Sequence, residues 1–394
     1  MRVIDYILIA FSLFLAGGAY FFIPAMAKVQ YISDNFSSAH EILLLDQNSN
    51  TLETEVKAEE PFVATHIKTP VPLKAIYMSS WVAGTTKFRD SLIKTIDTTE
   101  INAVVIDIKD YSGKISYEVH DPVLIEMGSQ EKRIPDIRGL VKMLHEKNIY
   151  VIGRVAAFQD AYMIEKFPEY AVKTNTNREK AWGDNKGIGW IDAGEQKMWD
   201  YLIAIGKDAY NSGFDELNYD YIRFPSDGNM KDIYYPVSDG KVKRDVIKSF
   251  FEYLNQNLKD TGVVLSADLF GMTTTNTDDL NIGQVLENTL PYFDYVCPMV
   301  YPSHFPANWN GYQSPATKPY EVIKYTMDKA VLRTEALGMD KNKIRPWLQD
   351  FNLGAIYTAD MVRGQIQATY DAGLSSWMLW DASNTYTVSA LESN

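Results

Sequence analysis

Five stretches of this chain place a carboxylate at or just past the end of a short apolar run. They read Ile106-Asp-Ile-Lys-Asp110, Asn218-Tyr-Asp-Tyr-Ile-Arg223, Ser266-Ala-Asp268, Trp347-Leu-Gln-Asp350 and Trp377-Met-Leu-Trp-Asp381. A carboxyl group in an apolar run is costly to bury, so it needs a partner or a task. Two such groups facing across a bond, with aromatic floors and hydroxyl-binding donors around them, are what cleavage of a glycosidic linkage requires. Asp220 is the first candidate, as a nucleophile. Strand alternation puts Glu216, Asn218, Asp220 and Ile222 on one side, with Asp220 near the end, and Arg223 is expected to hold it ionised. The competing reading is a loop cap or a plain ion pair with Arg223. Asp268 is the second, as a general acid, because an apolar site raises a carboxyl pKa. Its competing reading is a structural Asp bonded to backbone or to Arg154. Asp107, with Lys109 and Asp110, is third, and an interior Asp–Lys pair is the structural alternative. Asp350 and Asp381 are candidates for binding sugar hydroxyls or, equally, loop caps.

Asn218, Arg154, Arg223, Tyr301 and Gln349 complete the polar set that would orient a polyhydroxylated substrate. Trp190, Trp347, Trp377 and Trp380, with Trp182, are candidate stacking surfaces, although core packing is an ordinary fate for any one of them. Trp182 and Trp190 bracket the Gly-rich run Trp182-Gly-Asp-Asn-Lys-Gly-Ile-Gly-Trp190, expected to be a mobile loop over the site. Other chemistries lack their signatures. The five His are scattered without zinc spacing, and neither a Gly-x-Ser-x-Gly elbow nor a Gly-x-x-x-x-Gly-Lys-Ser/Thr phosphate loop occurs. A hydrolase without metal or cofactor is expected, and a metal-dependent deacetylase would need a His/Asp cluster that cannot be assembled. The net charge of −13 and the absence of a basic run argue against nucleic-acid binding. With one cysteine, Cys297, the chain must rely on a core rather than a disulfide.

The elements that must position these residues alternate along the chain. Strands are expected at Lys74–Ser80, Ala103–Lys109, Tyr150–Ala157, Glu216–Ile222, Val263–Phe270, Tyr295–Tyr301, Ile344–Asp350 and Ser375–Trp380. Helices are expected between them at Phe88–Asp97, Asp136–Lys147, Glu195–Asn211, Asp245–Lys259, Leu280–Leu290, Pro319–Leu337 and Ala359–Asp371. Eight strands alternating with helices indicate an α/β protein, a (β/α)8 TIM barrel over residues 71–394 with a short or missing eighth helix. A doubly wound nucleotide-binding sheet would need a Gly-rich phosphate turn after its first strand, which Ser79-Ser-Trp-Val-Ala-Gly84 is not. Residues 28–70 are polar and aperiodic and read as a disordered linker. Residues 1–27, with Arg2, an uncharged stretch Tyr6–Ile23 and Pro24-Ala-Met-Ala27, read as a signal peptide or membrane anchor helix. Export to the cell envelope or beyond is therefore expected, with membrane contact only through this segment.

The segments Gly213-Phe-Asp-Glu-Leu-Asn-Tyr-Asp-Tyr-Ile-Arg-Phe-Pro-Ser-Asp227, Leu265-Ser-Ala-Asp-Leu-Phe-Gly271, Cys297-Pro-Met-Val-Tyr-Pro302, Arg345-Pro-Trp-Leu-Gln-Asp-Phe351 and Gly373-Leu-Ser-Ser-Trp-Met-Leu-Trp380 occur in order at separate strand ends. Together they resemble the bacterial glycoside hydrolase family known as domain of unknown function 4015, over about residues 73–386. The resemblance implies a glycosidase-like TIM barrel acting on carbohydrate, with no substrate specified. The fourth-strand segment also resembles the chitinase pattern Phe-Asp-Gly-x-Asp-x-Asp-x-Glu, but Ile222 stands where the acidic Glu would be. That departure shifts the expectation toward a strand-four nucleophile, Asp220, with an acid/base from a later strand, Asp268. The alternative is a non-catalytic carbohydrate-binding protein on a degenerate glycosidase barrel.

Overall fold

The computed structural model describes residues 62–394, so the expected signal or anchor (1–27) and most of the linker lie outside the described residues. Each parallel strand is short and almost wholly buried, as strands covered on both faces must be, and β2 and β3 are nearly continuous runs of Val, Ile and Ala. In chain order the strands are β1 (Lys74–Met78), β2 (Ala103–Lys109), β3 (Tyr150–Ala156), β4 (Lys173–Thr174), β5 (Glu216–Asp220), β6 (Ile233–Tyr234), β7 (Val264–Phe270), β8 (Tyr295–Met299), β9 (Trp347–Gln349) and β10 (Trp377–Trp380). Eight of them close into one parallel barrel in the order β1-β2-β3-β5-β7-β8-β9-β10, and β4 pairs with β6 in a small antiparallel ribbon. The expected (β/α)8 architecture is present.

Helices pack around the outside: α1 (Ser80–Gly84), α2 (Thr86–Thr98), α3 (Pro122–Met127), α4 (Ile137–Glu146), α5 (Ala161–Lys166), α6 (Gln196–Asn211), α7 (Lys243–Leu258), α8 (Leu286–Thr289), α9 (Pro319–Ala336) and α10 (Ala359–Asp371). The expected helix over 280–290 shrinks to α8, because Leu280, Asn281 and Gly283 all take positive φ. No regular helix follows β10, only a 3-10 turn at Val388–Ala390. None of the helices among the described residues is long and apolar enough to cross a membrane.

Period-two alternation divides the barrel into two apolar layers. Ala75, Tyr77, Val105, Ile152, Trp347 and Met378 fill the interior, while Ile76, Val104, Val151, Leu217, Leu348 and Trp377 face the helices. Residues 62–70 do not behave as a linker. Ile67 packs against the interior cluster and donates its N–H to Asp215 Oδ1 at 2.8 Å, and Thr69 Oγ1 meets the Tyr150 hydroxyl at 2.9 Å. This strap lies at the N-terminal floor of the barrel, where β3 and β5 begin.

Candidate active site

Parallel register sets Asp107 and Arg154 in one layer and Asp220 and Asp268 in the next layer toward the strand ends. Asp107 on β2 is level with Arg154 on β3, Arg154 with Asn218 on β5, and Asn218 with Ser266 on β7. The Arg154 guanidinium sits at the centre of this ring. Its Nη1 donates to Asp107 Oδ1 at 2.6 Å and its Nη2 to Asp220 Oδ2 at 2.5 Å, while its Nε lies 4.0 Å from Asp268 Oδ2. Arginine keeps its proton throughout the accessible pH range, so it is a fixed positive charge shared by three Asp residues.

The three carboxyl groups are not equivalent. Asp220 receives both of its hydrogen bonds from obligate donors, Arg154 and the Tyr221 backbone N–H at 2.6 Å, the pattern of an ionised carboxylate. Tyr221 takes φ 53°, uncommon and strained for a bulky side chain, and that turn is where its N–H meets the carboxylate. Asp268 accepts at Oδ1 from the Trp347 indole at 2.8 Å and the Asn218 amide at 2.9 Å. Burial and the neighbouring Asp220 charge nevertheless push its pKa well above the usual carboxylate range, against the opposing pull of Arg154. Asp107 is also pushed up by burial, opposed by Arg154 and by the Tyr77 hydroxyl that donates to its Oδ2 at 2.5 Å. One guanidinium thus bridges Asp220 and Asp268, and their facing oxygens can be at most about 9 Å apart, a ceiling that accommodates either geometry of a two-carboxylate glycosidase.

Aromatic groups wall this centre on one side. Trp380, half-buried, lies 5.0 Å from the Arg154 guanidinium, stacks on Tyr77 at 4.0 Å and meets Trp347 edge-on at 5.5 Å. At the ends of β7 and β8, Phe270, Met272, Met299, Tyr301, His304 and Phe305 line an apolar pocket of about 270 Å³. Burial first, then the Asp268 and Asp220 charges, raises the Tyr301 phenol well above its usual pKa, so it remains a neutral hydroxyl donor. Burial likewise lowers the His304 pKa and favours a neutral imidazole.

Other expected residues stand elsewhere or are already engaged. Arg223 is not the hydrogen-bonded partner of Asp220. It is sandwiched between Trp190 at 4.6 Å and Phe270 at 4.5 Å, and its Nη1 donates to the Phe224 carbonyl and to Ser226 Oγ. Asp107 forms no pair with Lys109, which turns outward to Asp160 at 2.8 Å, while Asp110 pairs with Arg133. Trp377 faces the helix layer and donates to the Tyr370 hydroxyl at 3.1 Å. Trp182 and Trp190 are buried, and the segment between them is a paired hairpin, bridged at Gly183–Gly189 and tied to Gln159 through Trp190, rather than a free loop. Asp350 binds Thr387 through its backbone N–H and hydroxyl at 2.8 and 2.7 Å, and burial raises its pKa to about 6. Asp381 caps Ser383, and Gln349 spans the Ser303 N–H and the Phe351 carbonyl. Tyr77 and Tyr221 are the site residues that sequence reasoning missed. Tyr77 had a readable signal, a polar tip on the interior parity of a buried strand. Tyr221 had none, because its backbone N–H reaches Asp220 only through the positive-φ turn, and its ring meets Arg154 and Arg223 only in the folded barrel.

Among the described residues no group of three or more His, Cys, Asp or Glu is arranged to hold a metal ion. Solved structures share this barrel. The glycoside hydrolase domain of PgaB (BpsB) from Bordetella bronchiseptica aligns with a TM-score of 0.59 at 12% identity, over 79% of this chain and 95% of that one. The C-terminal domain of a protein described as "putative chitinase" from Desulfitobacterium hafniense aligns with a TM-score of 0.51 at 12% identity, over 81% of this chain and 96% of that one. A hypothetical protein from Ruminiclostridium thermocellum is 37% identical over 49% of this chain and 96% of its own, with a TM-score of 0.45. No curated protein matches the chain in sequence. The model of the family described as "putative glycosyl hydrolase domain", domain of unknown function 4015, matches residues 75–386, and the chain belongs to that family.

Proposed function

We propose that this domain is an exported glycosidase that hydrolyses an extracellular or cell-wall poly- or oligosaccharide with Asp220 as nucleophile and Asp268 as acid/base. The observation that carries the reading is the unequal pair around Arg154: Asp220 hydrogen-bonded as an anion, Asp268 buried and driven toward its protonated form. Such a division between two carboxyl groups is what acid-assisted departure of a leaving group and attack on the anomeric carbon require. Asp268 Oδ1 is occupied by two N–H donors, which leaves Oδ2 as the oxygen to carry the proton. As Asp220 bonds to the anomeric carbon, the Asp268 proton passes to the departing glycosidic oxygen. Asp268 then takes a proton from the water that releases the sugar. Trp380 and Tyr301 would bracket the reacting sugar.

Export rests on the N-terminal segment read from the sequence and is tested by locating the mature chain in fractionated cells. The catalytic part is tested by incubating the purified domain with labelled glycans and peptidoglycan fragments and following the first-formed anomer by NMR. Retention of anomeric configuration is expected, and an inverted first product would remove Asp220 from the nucleophile's role. The second reading, a carbohydrate-binding protein without activity, draws support from the saturation of Asp220, whose two oxygens are both already hydrogen-bonded. Binding without turnover of any glycan in that panel would select it.

A further inference from the structure

The rim between β1 and β2 carries an indole that the carboxylate cluster does not use. Trp81, in α1, is 60% exposed. Exposure of a single apolar ring needs no explanation, but the construction behind this one does. One face of Trp81 is backed by the Arg133 guanidinium, 4.8 Å from the ring. Arg133 is itself held on several sides: Nη1 to Asp110 Oδ2 at 2.6 Å, Nε to Glu131 Oε2 at 2.5 Å, and Nη2 to Ser112 Oγ at 3.0 Å. Gly84 at the end of α1 packs directly on the same segment, where an added Cβ would lie 1.9 Å from the Arg133 carbonyl oxygen. The start of α1 is pinned too, since the Ser79 N–H donates to Asn384 Oδ1 at 3.0 Å, beyond β10. The ring is therefore a fixed plate with one face backed and the other free.

Aromatic side chains lead from the site to β1, and Trp81 stands three residues past the end of that strand, at the same end of the barrel. Trp347 donates to Asp268, Trp380 packs edge-on against Trp347, and Tyr77 stacks on Trp380. Trp81 follows Tyr77 on the chain that leaves β1. Trp347 and Tyr77 are buried, Trp380 is half-buried, and Trp81 is the exposed member of the set. An indole face held in place recognises the apolar C–H face of a sugar ring.

We infer that Trp81 is an outer sugar-stacking platform, so that the substrate is a glycan chain of several sugars running from the carboxylate cluster across the β1–β2 rim. The inference rests on the carbohydrate reading above but not on catalysis. It is tested with the full chain carrying Asp220→Asn, so that no probe is consumed, by titrating soluble peptidoglycan glycan strands and, separately, their two-sugar repeat. The strands are expected to bind about tenfold more tightly than the disaccharide, and Trp81→Ala to bring that ratio close to one. Trp81→Phe should retain part of the ratio, and Leu332→Ala, at an equally exposed apolar position on α9, all of it. Equal affinity for the two probes, a ratio unchanged by Trp81→Ala, or no binding of either probe would each overturn the platform. A ratio lost on Trp81→Ala, in a protein whose unmodified form cleaves no glycan, would keep the platform and remove the glycosidase reading.

Discussion

The two ends of the barrel interior each bury an arginine against carboxylates, and they do opposite things with it. At the floor, Arg345 meets Glu216 through Nη1 at 2.8 and 3.1 Å, and both side chains are wholly buried. Tyr295 lies 3.8 Å from the guanidinium, and the Tyr150 hydroxyl donates to Glu216 at 3.2 Å. One cation faces one anion, charge is balanced, and the strap through Ile67 and Thr69 lies beneath. At the mouth one cation, Arg154, faces Asp107, Asp220 and Asp268. A single positive charge does not balance three buried carboxylates, so the cluster is driven to retain a proton, which the proposed mechanism uses as its acid. The same residue types give a balanced pair where the charges match and a proton-retaining cluster where they do not.

The comparison can be broken by four measurements. Asp220→Asn should lower glycan hydrolysis by about 10³-fold or more while binding survives, because an amide lacks nucleophilicity; undiminished turnover would strip the mouth of its assigned chemistry. Arg345→Met should lower urea-unfolding stability by about 3–5 kcal/mol, because it strands Glu216 as a buried charge. The double variant with Glu216→Gln should recover much of that loss, and a double as damaging as the sum of the singles would mean that charge balance is not what holds the floor.

The pH profile sharpens the contrast. Hydrolysis should fall as pH rises through the raised pKa of Asp268, since the acid is lost when it ionises. Trp347→Phe removes an indole N–H that favours the ionised form, so the alkaline limb should move to higher pH. A limb that stays in place or moves down would detach it from Asp268. The smallest effect concerns Asp350. Its folded pKa of about 6 lies above the ordinary carboxylate value, so the folded state holds the proton more tightly and stability falls as pH rises from about 4 through 6. Asp350→Asn should make that fall shallower in thermal unfolding across the same window, by at most about 3 kcal/mol. An equal slope in both proteins would show that another group is responsible.

The alternation of short apolar runs with amphipathic helices determined the barrel, and the carboxylates at the ends of those runs marked its candidate site. Period-two parity is a local property: in the sequence it put Asn218 and Asp220 on one side of their strand, and in the barrel the same rule holds Asp107, Arg154 and Asp268 inward on theirs. It also could have assigned Trp377 to the outer face, one residue from Met378 and opposite in parity to Trp380. Pairing between strands is another matter. That Arg154 rather than Arg223 takes Asp220 follows from register across β3 and β5, which depends on barrel closure and not on neighbours in the chain. That Lys109 turns away from Asp107 follows from the position of Asp160 beyond β3. Asp350 was indistinguishable from a site carboxylate in the sequence, because it acquires its cap from Thr387 only once the chain after β10 has folded back, whereas Asp381 is capped locally by Ser383 two residues on. Local periodicity thus determined which residues face inward. Long-range closure decided which of them meet, and therefore where the unbalanced charge lies.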